Sequence, residues 1–69
     1  METSAVRRAV EIAGGQRALG QLLGVSQQAV GQWLSNDRIP ANRVVQIAQA
    51  TGIPRHELRP DLYPAEATA

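Results

Sequence analysis

The stretch Gln16-Arg17-Ala18-Leu19-Gly20-Gln21-Leu22-Leu23-Gly24-Val25-Ser26-Gln27-Gln28-Ala29-Val30-Gly31-Gln32-Trp33-Leu34-Ser35 decides the fold, because it holds two short amphipathic helical patterns joined through Gly24-Val25-Ser26. In the first pattern Leu19, Leu22 and Leu23 recur at the three-and-four spacing that lines one helical face, while Gln16, Arg17 and Gln21 point elsewhere. Gly24 accepts a positive φ without a Cβ clash, so it suits the turn just past a helix end. Ser26 then reads as an N-cap whose hydroxyl accepts a free backbone N–H of the next helix. On that second helix Val30, Trp33 and Leu34 fall on one side, with Gln28, Gly31, Gln32 and Ser35 opposite and Gln27 at the border. Gly20 costs roughly 1 kcal/mol against Ala inside a helix. It sits where two sharply crossed helices must approach closely, so its missing side chain is expected to serve packing.

The flanking sequence reads as further helix. Thr3 or Ser4 caps a first helix running to about Ala13, with Val6, Val10 and Ala13 on one stripe and Arg7, Arg8 and Glu11 on the other; Gly14-Gly15 ends it. Asn36-Asp37-Arg38-Ile39 forms a polar turn into Pro40, which suits the first turn of a fourth helix reaching roughly Thr51. Val44, Ile47, Ala48 and Thr51 repeat at helical spacing there, and Gly52 supplies the stop. Pro54 opens a last short turn through Leu58, and Pro60 and Pro64 prevent its continuation. The expected architecture is a compact all-α domain over residues 1–64, with residues 65–69 as a disordered tail.

Composition narrows the function classes. Sixty-nine residues suit one small domain without a separate sensor or catalytic module. With 43% hydrophobic but only 3% aromatic residues, the core must be aliphatic, with Trp33 as its one large member. There is no cysteine, hence no disulfide framework and no thiolate metal site. One histidine, His56, and no clustered carboxylates provide neither a nucleophile–base pair nor a metal set, so no enzyme activity, catalytic residue, metal or cofactor is expected. His56 beside Glu57 reads as a solvated surface residue. No apolar run of about 18 residues is present to span a bilayer. Met1 to Arg8 precedes no apolar stretch of the kind a secretory signal needs. A soluble cytoplasmic protein is the expectation.

The formal net charge is only +1, so its distribution matters more than its sum. Through Arg43, five arginines (Arg7, Arg8, Arg17, Arg38, Arg43) face Glu2, Glu11 and Asp37. Beyond it, Arg55 and Arg59 face Glu57, Asp61 and Glu66. The positive half is the one that contains the paired helices. An excess of this size also arises on any solvated surface.

Leu19, Gly20, Leu23, Gly24, Val25, Val30 and Trp33 resemble the helix-turn-helix of Cro-type phage repressors, with a lambda-repressor-like fold of four to five helices. A longer stretch, from Ala13-Gly14-Gly15-Gln16 through Arg55-His56-Glu57-Leu58-Arg59-Pro60-Asp61-Leu62-Tyr63-Pro64, resembles the YdaS-like antitoxin branch of that superfamily, small prophage-encoded regulators. The resemblance spans nearly the whole chain. Gly20 departs from the alanine more usual in the family, though a small residue is kept. Some Cro relatives fold the C-terminal half into a β-hairpin; here the alanine content and the lack of an Asn-Gly or Asp-Gly turn around Val44-Val45 favour helix.

A helix of this kind fits the major groove, where glutamine pairs bidentately with adenine N6 and N7. The base-reading candidates are therefore Gln27, Gln28 and Gln32, with Gly31 among them on the outer face. Gln28 stands out because it lies well outward and near the helix start. Glutamines also serve simply to solvate a surface helix; their position opposite an apolar stripe favours base reading. The resemblance implies a phosphate contact from Gln16, helped by backbone N–H groups at its helix start, with Arg17 beside it. Ser26, Ser35, Asn36 and Arg38 are further phosphate candidates. Arg43 is another, with a plain exposed charge as the equal alternative. Trp33 is expected to wedge between helices rather than stack on a base.

The function so implied is a sequence-specific double-stranded DNA-binding regulator, a repressor of Cro or antitoxin type. Such a chain is bacterial or prophage-encoded, and nucleoid-associated when bound. A module of this size buries about 600–1,000 Å² on DNA, so a homodimer placing two recognition helices about 34 Å apart would help tight binding. Leu58, Leu62, Tyr63 and Val45 either furnish that contact or close the monomer's own core. The alternative is a protein-interaction module, an antitoxin masking a toxin through Leu62 and Tyr63, with DNA binding secondary.

Overall fold

The computed structural model describes residues 4–64, so the expectation of a disordered 65–69 tail, and Thr3 as a cap, lie outside the described residues. Its helices are α1 (Ala5–Ala13), α2 (Gln16–Leu23), α3 (Gln27–Asn36), α4 (Val44–Thr51) and α5 (Arg55–Leu58), with a 3-10 turn at Ala41–Arg43 leading directly into α4. No strand occurs among the described residues, so the C-terminal half is helical rather than a β-hairpin.

Each boundary has a local cause. Ser4 Oγ accepts from the Arg7 N–H at 3.1 Å and starts α1. Gly14 ends it in the left-handed region. Gly24 closes α2 at φ 73°, its N–H donating to the Gly20 carbonyl. The residue that closes α3, Asp37, is not a glycine yet holds φ 53°, and the Asp37 and Arg38 N–H groups return to Leu34 and Trp33 carbonyls. Aspartate is among the few side chains that tolerate this conformation. Pro40 opens a 3-10 turn, not an α-helical one, so α4 proper begins later than the sequence suggests.

The core consists of Val6, Ala9, Leu19, Leu23, Val30, Ile39, Val44, Ile47, Ile53 and Leu58. α1, α4 and α5 form the support on which the α2–α3 pair rests. Three sequence expectations are corrected. Leu22, placed with Leu19 and Leu23, is 59% exposed, because the buried face of α2 runs through Leu19, Gly20 and Leu23 and leaves Leu22 to one side. Trp33, expected as the one large member of the core, is half-buried and packs against the buried cluster without belonging to it. Ile39, read as part of a polar turn, is fully buried, as is nearly all of Ile53. Both are isolated apolar residues between helices, where no periodicity marks them.

Gly20 is buried at a close approach, to the turn and to Ser26, the N-cap where α3 begins. A Cβ there would lie 2.8 Å from the Val25 carbonyl oxygen and 3.4 Å from that of Ser26. The same turn is tied back by the Val25 N–H donating to the Gly20 carbonyl at 2.9 Å. The glycine thus sets how tightly the α2–α3 turn folds over its own helix.

Candidate nucleic-acid interface

α3 is held by one apolar edge and offers the other. Val30 is fully buried, with Trp33 and Leu34 packed beside it against the core. Gln27, Gln28, Gln32, Ser35 and Asn36 are exposed on the remaining surface. Among the described residues no hydrogen bond engages the side-chain amides of Gln27, Gln28 or Gln32. Amides in this state keep donor and acceptor together for an outside partner.

Ser26 fixes where this surface begins. Its Oγ accepts from the Ala29 N–H at 3.1 Å, so the hydroxyl proton is not spent on the cap. Gly31 is half-buried, and a Cβ on it would meet Gln16 Oε1 at 3.4 Å. The first side chain of α2 therefore lies against the middle of α3. This joins Gln16, Gly31 and the glutamine face into one surface, a contact between helices that spacing within either helix does not reveal. Arg17 is exposed on the first turn of α2, and Arg38 is exposed just beyond α3.

Several cations are committed elsewhere. Arg43 Nη1 donates to Gln46 Oε1 at 2.8 Å and, at 3.4 Å, to the Leu23 carbonyl. It thereby satisfies the C-terminal end of α2. Arg8 pairs with Glu57 at 2.6 Å, tying α1 to α5. That hydrogen bond chiefly lowers the Glu57 carboxyl, with the charges of Arg8 and His56 adding to it. Arg55 stands over the Tyr63 ring, 5.6 Å from its centre. Arg59 grips Asp61 through two bonds of 2.9 and 2.7 Å and gives a third, of 2.7 Å, to the Ile39 carbonyl. The hydrogen bonds from Arg59 bring the Asp61 carboxyl down to about 2, with the charges of Arg59 and Arg38 contributing.

Of the apolar residues considered for a contact between copies, Leu58 is buried in the monomer and Tyr63 is half-buried against the core. Val45 and Leu62 are exposed. His56, expected as a solvated surface residue, is half-buried with Nε2 4.0 Å from Glu57 Oε2. No group of three or more histidine, cysteine or carboxylate side chains among the described residues is placed to hold a metal. None of their helices is long and apolar enough to cross a membrane.

Two capped helices meeting at a tight glycine turn, the second presenting a polar face, define a helix-turn-helix domain of the lambda-repressor kind. The fold matches the structure titled "Cro protein from putative prophage element Xfaso 1 in Xylella fastidiosa strain Ann-1" with a TM-score of 0.86 and 35% identity, covering 91% of this chain and 100% of that one. The family described as "Bacterial toxin YdaS" matches residues 6–67, and the chain belongs to it. A relative named "Putative transcriptional regulator YdaS", from Escherichia coli strain K12, is 41% identical over 64 residues, which are 88% of this chain. The match covers 65% of that relative's length.

Proposed function

We propose that the protein is a sequence-specific, double-stranded DNA-binding repressor of Cro type that reads the major groove with α3. The observation that carries this reading is the row of exposed, unengaged amides at Gln27, Gln28 and Gln32, held outward by the burial of Val30. Gly31 lets the helix and Gln16 lie close together, and Gln16, Arg17, Ser26, Ser35, Asn36 and Arg38 rim the glutamine face as phosphate contacts. Arg43 is bound within the fold and is the weakest member of that set. The relative named as a transcriptional regulator and the Cro neighbour support the same role. Such a role places the protein in the bacterial cytoplasm, on the nucleoid when bound.

Operator binding is by a homodimer, to which exposed Val45 and Leu62 are the available apolar contributions. The family description names a toxin and lends nothing to a toxin-neutralising role. The test is Gln28→Ala. It should cost about 1–3 kcal/mol on the preferred site and relax base preference at one position. Equal loss on preferred and random duplexes would remove Gln28 from base reading.

A further inference from the structure

Resting on the reading of Gln16 as a phosphate contact, we propose that Gly31 is a positioning residue for that contact and not a base reader: the bare surface of α3 at Gly31 seats the Gln16 carboxamide by its oxygen and leaves its nitrogen turned toward the DNA backbone. A Cβ built on Gly31 would lie 3.4 Å from Gln16 Oε1, with no other atom from outside α3 within 4 Å. The oxygen of the amide, rather than the nitrogen, is thus the end that rests on α3. A phosphate oxygen accepts hydrogen bonds, so the amide has to present Nε2 to it. The seat also accords with the burial of Gln16, which is half-covered although it opens its helix, while the next residue, Arg17, is exposed.

Helix propensity alone argues against a glycine here. In the middle of α3, one turn beyond Gln27 and one turn before Ser35, alanine would hold the helix better. Its methyl group would meet Gln16 Oε1 at ordinary van der Waals distance, so the fold admits alanine. A branched or longer side chain is different. It places further carbons in the space that the amide holds, and Gln16 must then swing off α3. What Gly31 keeps small is therefore the side chain beneath Gln16, and Gln16 sets the limit. An uncharged amide releases no counterion, so the contact adds affinity for any sequence without steepening the salt dependence.

The test is a double-mutant cycle between Gln16 and Gly31 in the full chain, read as affinity for preferred and random duplexes, with circular dichroism melts to establish folding. Gln16→Ala should weaken binding to both duplexes by about tenfold, the loss of one hydrogen bond to a charged oxygen, at an unchanged slope of log K against log salt. Wild-type affinity in that variant would end the phosphate reading of Gln16, and the proposal with it. Gly31→Val should lose as much as Gln16→Ala on both duplexes, and the two combined should lose nothing further. Gly31→Ala should keep the wild-type affinity and melt at a higher temperature. A full loss from Gly31→Val in the Gln16→Ala background would mean that the new side chain meets DNA directly. A loss confined to the preferred duplex would make Gly31 a reader of bases. Either result overturns the proposal while leaving the Gln16 contact in place, as does a folded Gly31→Val protein of wild-type affinity or a Gly31→Ala protein as weak as Gly31→Val. Should Gly31→Val fail to fold, Gly31→Met, a better helix former, carries the same cycle, and additive losses there overturn the proposal equally.

Discussion

Gly20 shows how a single absent methyl group shapes the α2–α3 pair. In an open helix position, replacing it with alanine would gain roughly 1 kcal/mol from propensity. Here the new Cβ would lie 2.8 Å from a backbone oxygen, which cannot swing aside like a side chain. Overpacking of this kind costs about 1–3 kcal/mol, so Gly20→Ala is expected to lower the midpoint of a thermal melt. A raised midpoint would show that the turn gives way easily. Trp33 makes the complementary case. Removing a fully buried aromatic costs about 3–5 kcal/mol; because Trp33 is half-buried at the edge of the core, Trp33→Ala should fall below that range and leave a cooperative unfolding transition in urea.

At the scale of elements, the helices with capping residues and regular apolar spacing were legible from the chain. Ser4, Gly14, Ser26, Gly24 and Gly52 all stand at the boundaries their chemistry implies. The two central helices were legible for the same reason, and with them the polar face of α3. What escaped reading lies between elements. Ile39 and Ile53 enter the core from loops, and Leu22 leaves it because the buried face of α2 runs through Leu19, Gly20 and Leu23. Arg59 could not be paired with Ile39 from spacing, since their contact depends on how the C-terminal turn folds back across the molecule. Ser26→Ala tests the element most directly tied to the interface. Loss of the bond to the Ala29 N–H should cost about 0.5–2 kcal/mol in urea unfolding and fray the start of α3. Unchanged stability would mean that water caps the helix as well.

Across the whole molecule, ion pairs fasten the C-terminal turns to the rest. Glu57 and Asp61 both have carboxyls held below their ordinary values by arginines, that of Asp61 at about 2. A depressed folded-state pKa contributes stability that is complete above the unfolded value, near 4, and is lost as pH falls toward the folded one. The melting midpoint should therefore fall between about pH 4 and pH 2, less steeply in Asp61→Asn. Identical pH profiles for the two proteins would detach Asp61 from acid stability. These commitments also spend cations: with Arg8, Arg43, Arg55 and Arg59 engaged within the fold, Arg17 and Arg38 remain beside the glutamine face. On the proposed reading, two phosphates neutralised per subunit give a shallow salt slope of about −1.8 for each subunit. The same reading predicts weak affinity for arbitrary DNA, with discrimination resting on hydrogen bonds to bases.

Selection of bound sequences from a random duplex pool at low salt tests base reading by α3 most directly. The expected result is enrichment of a paired motif with half-sites about one helical turn apart, containing adenines that lose their preference when Gln28 is replaced by alanine. A folded protein that enriches no sequence over the starting pool would contradict it.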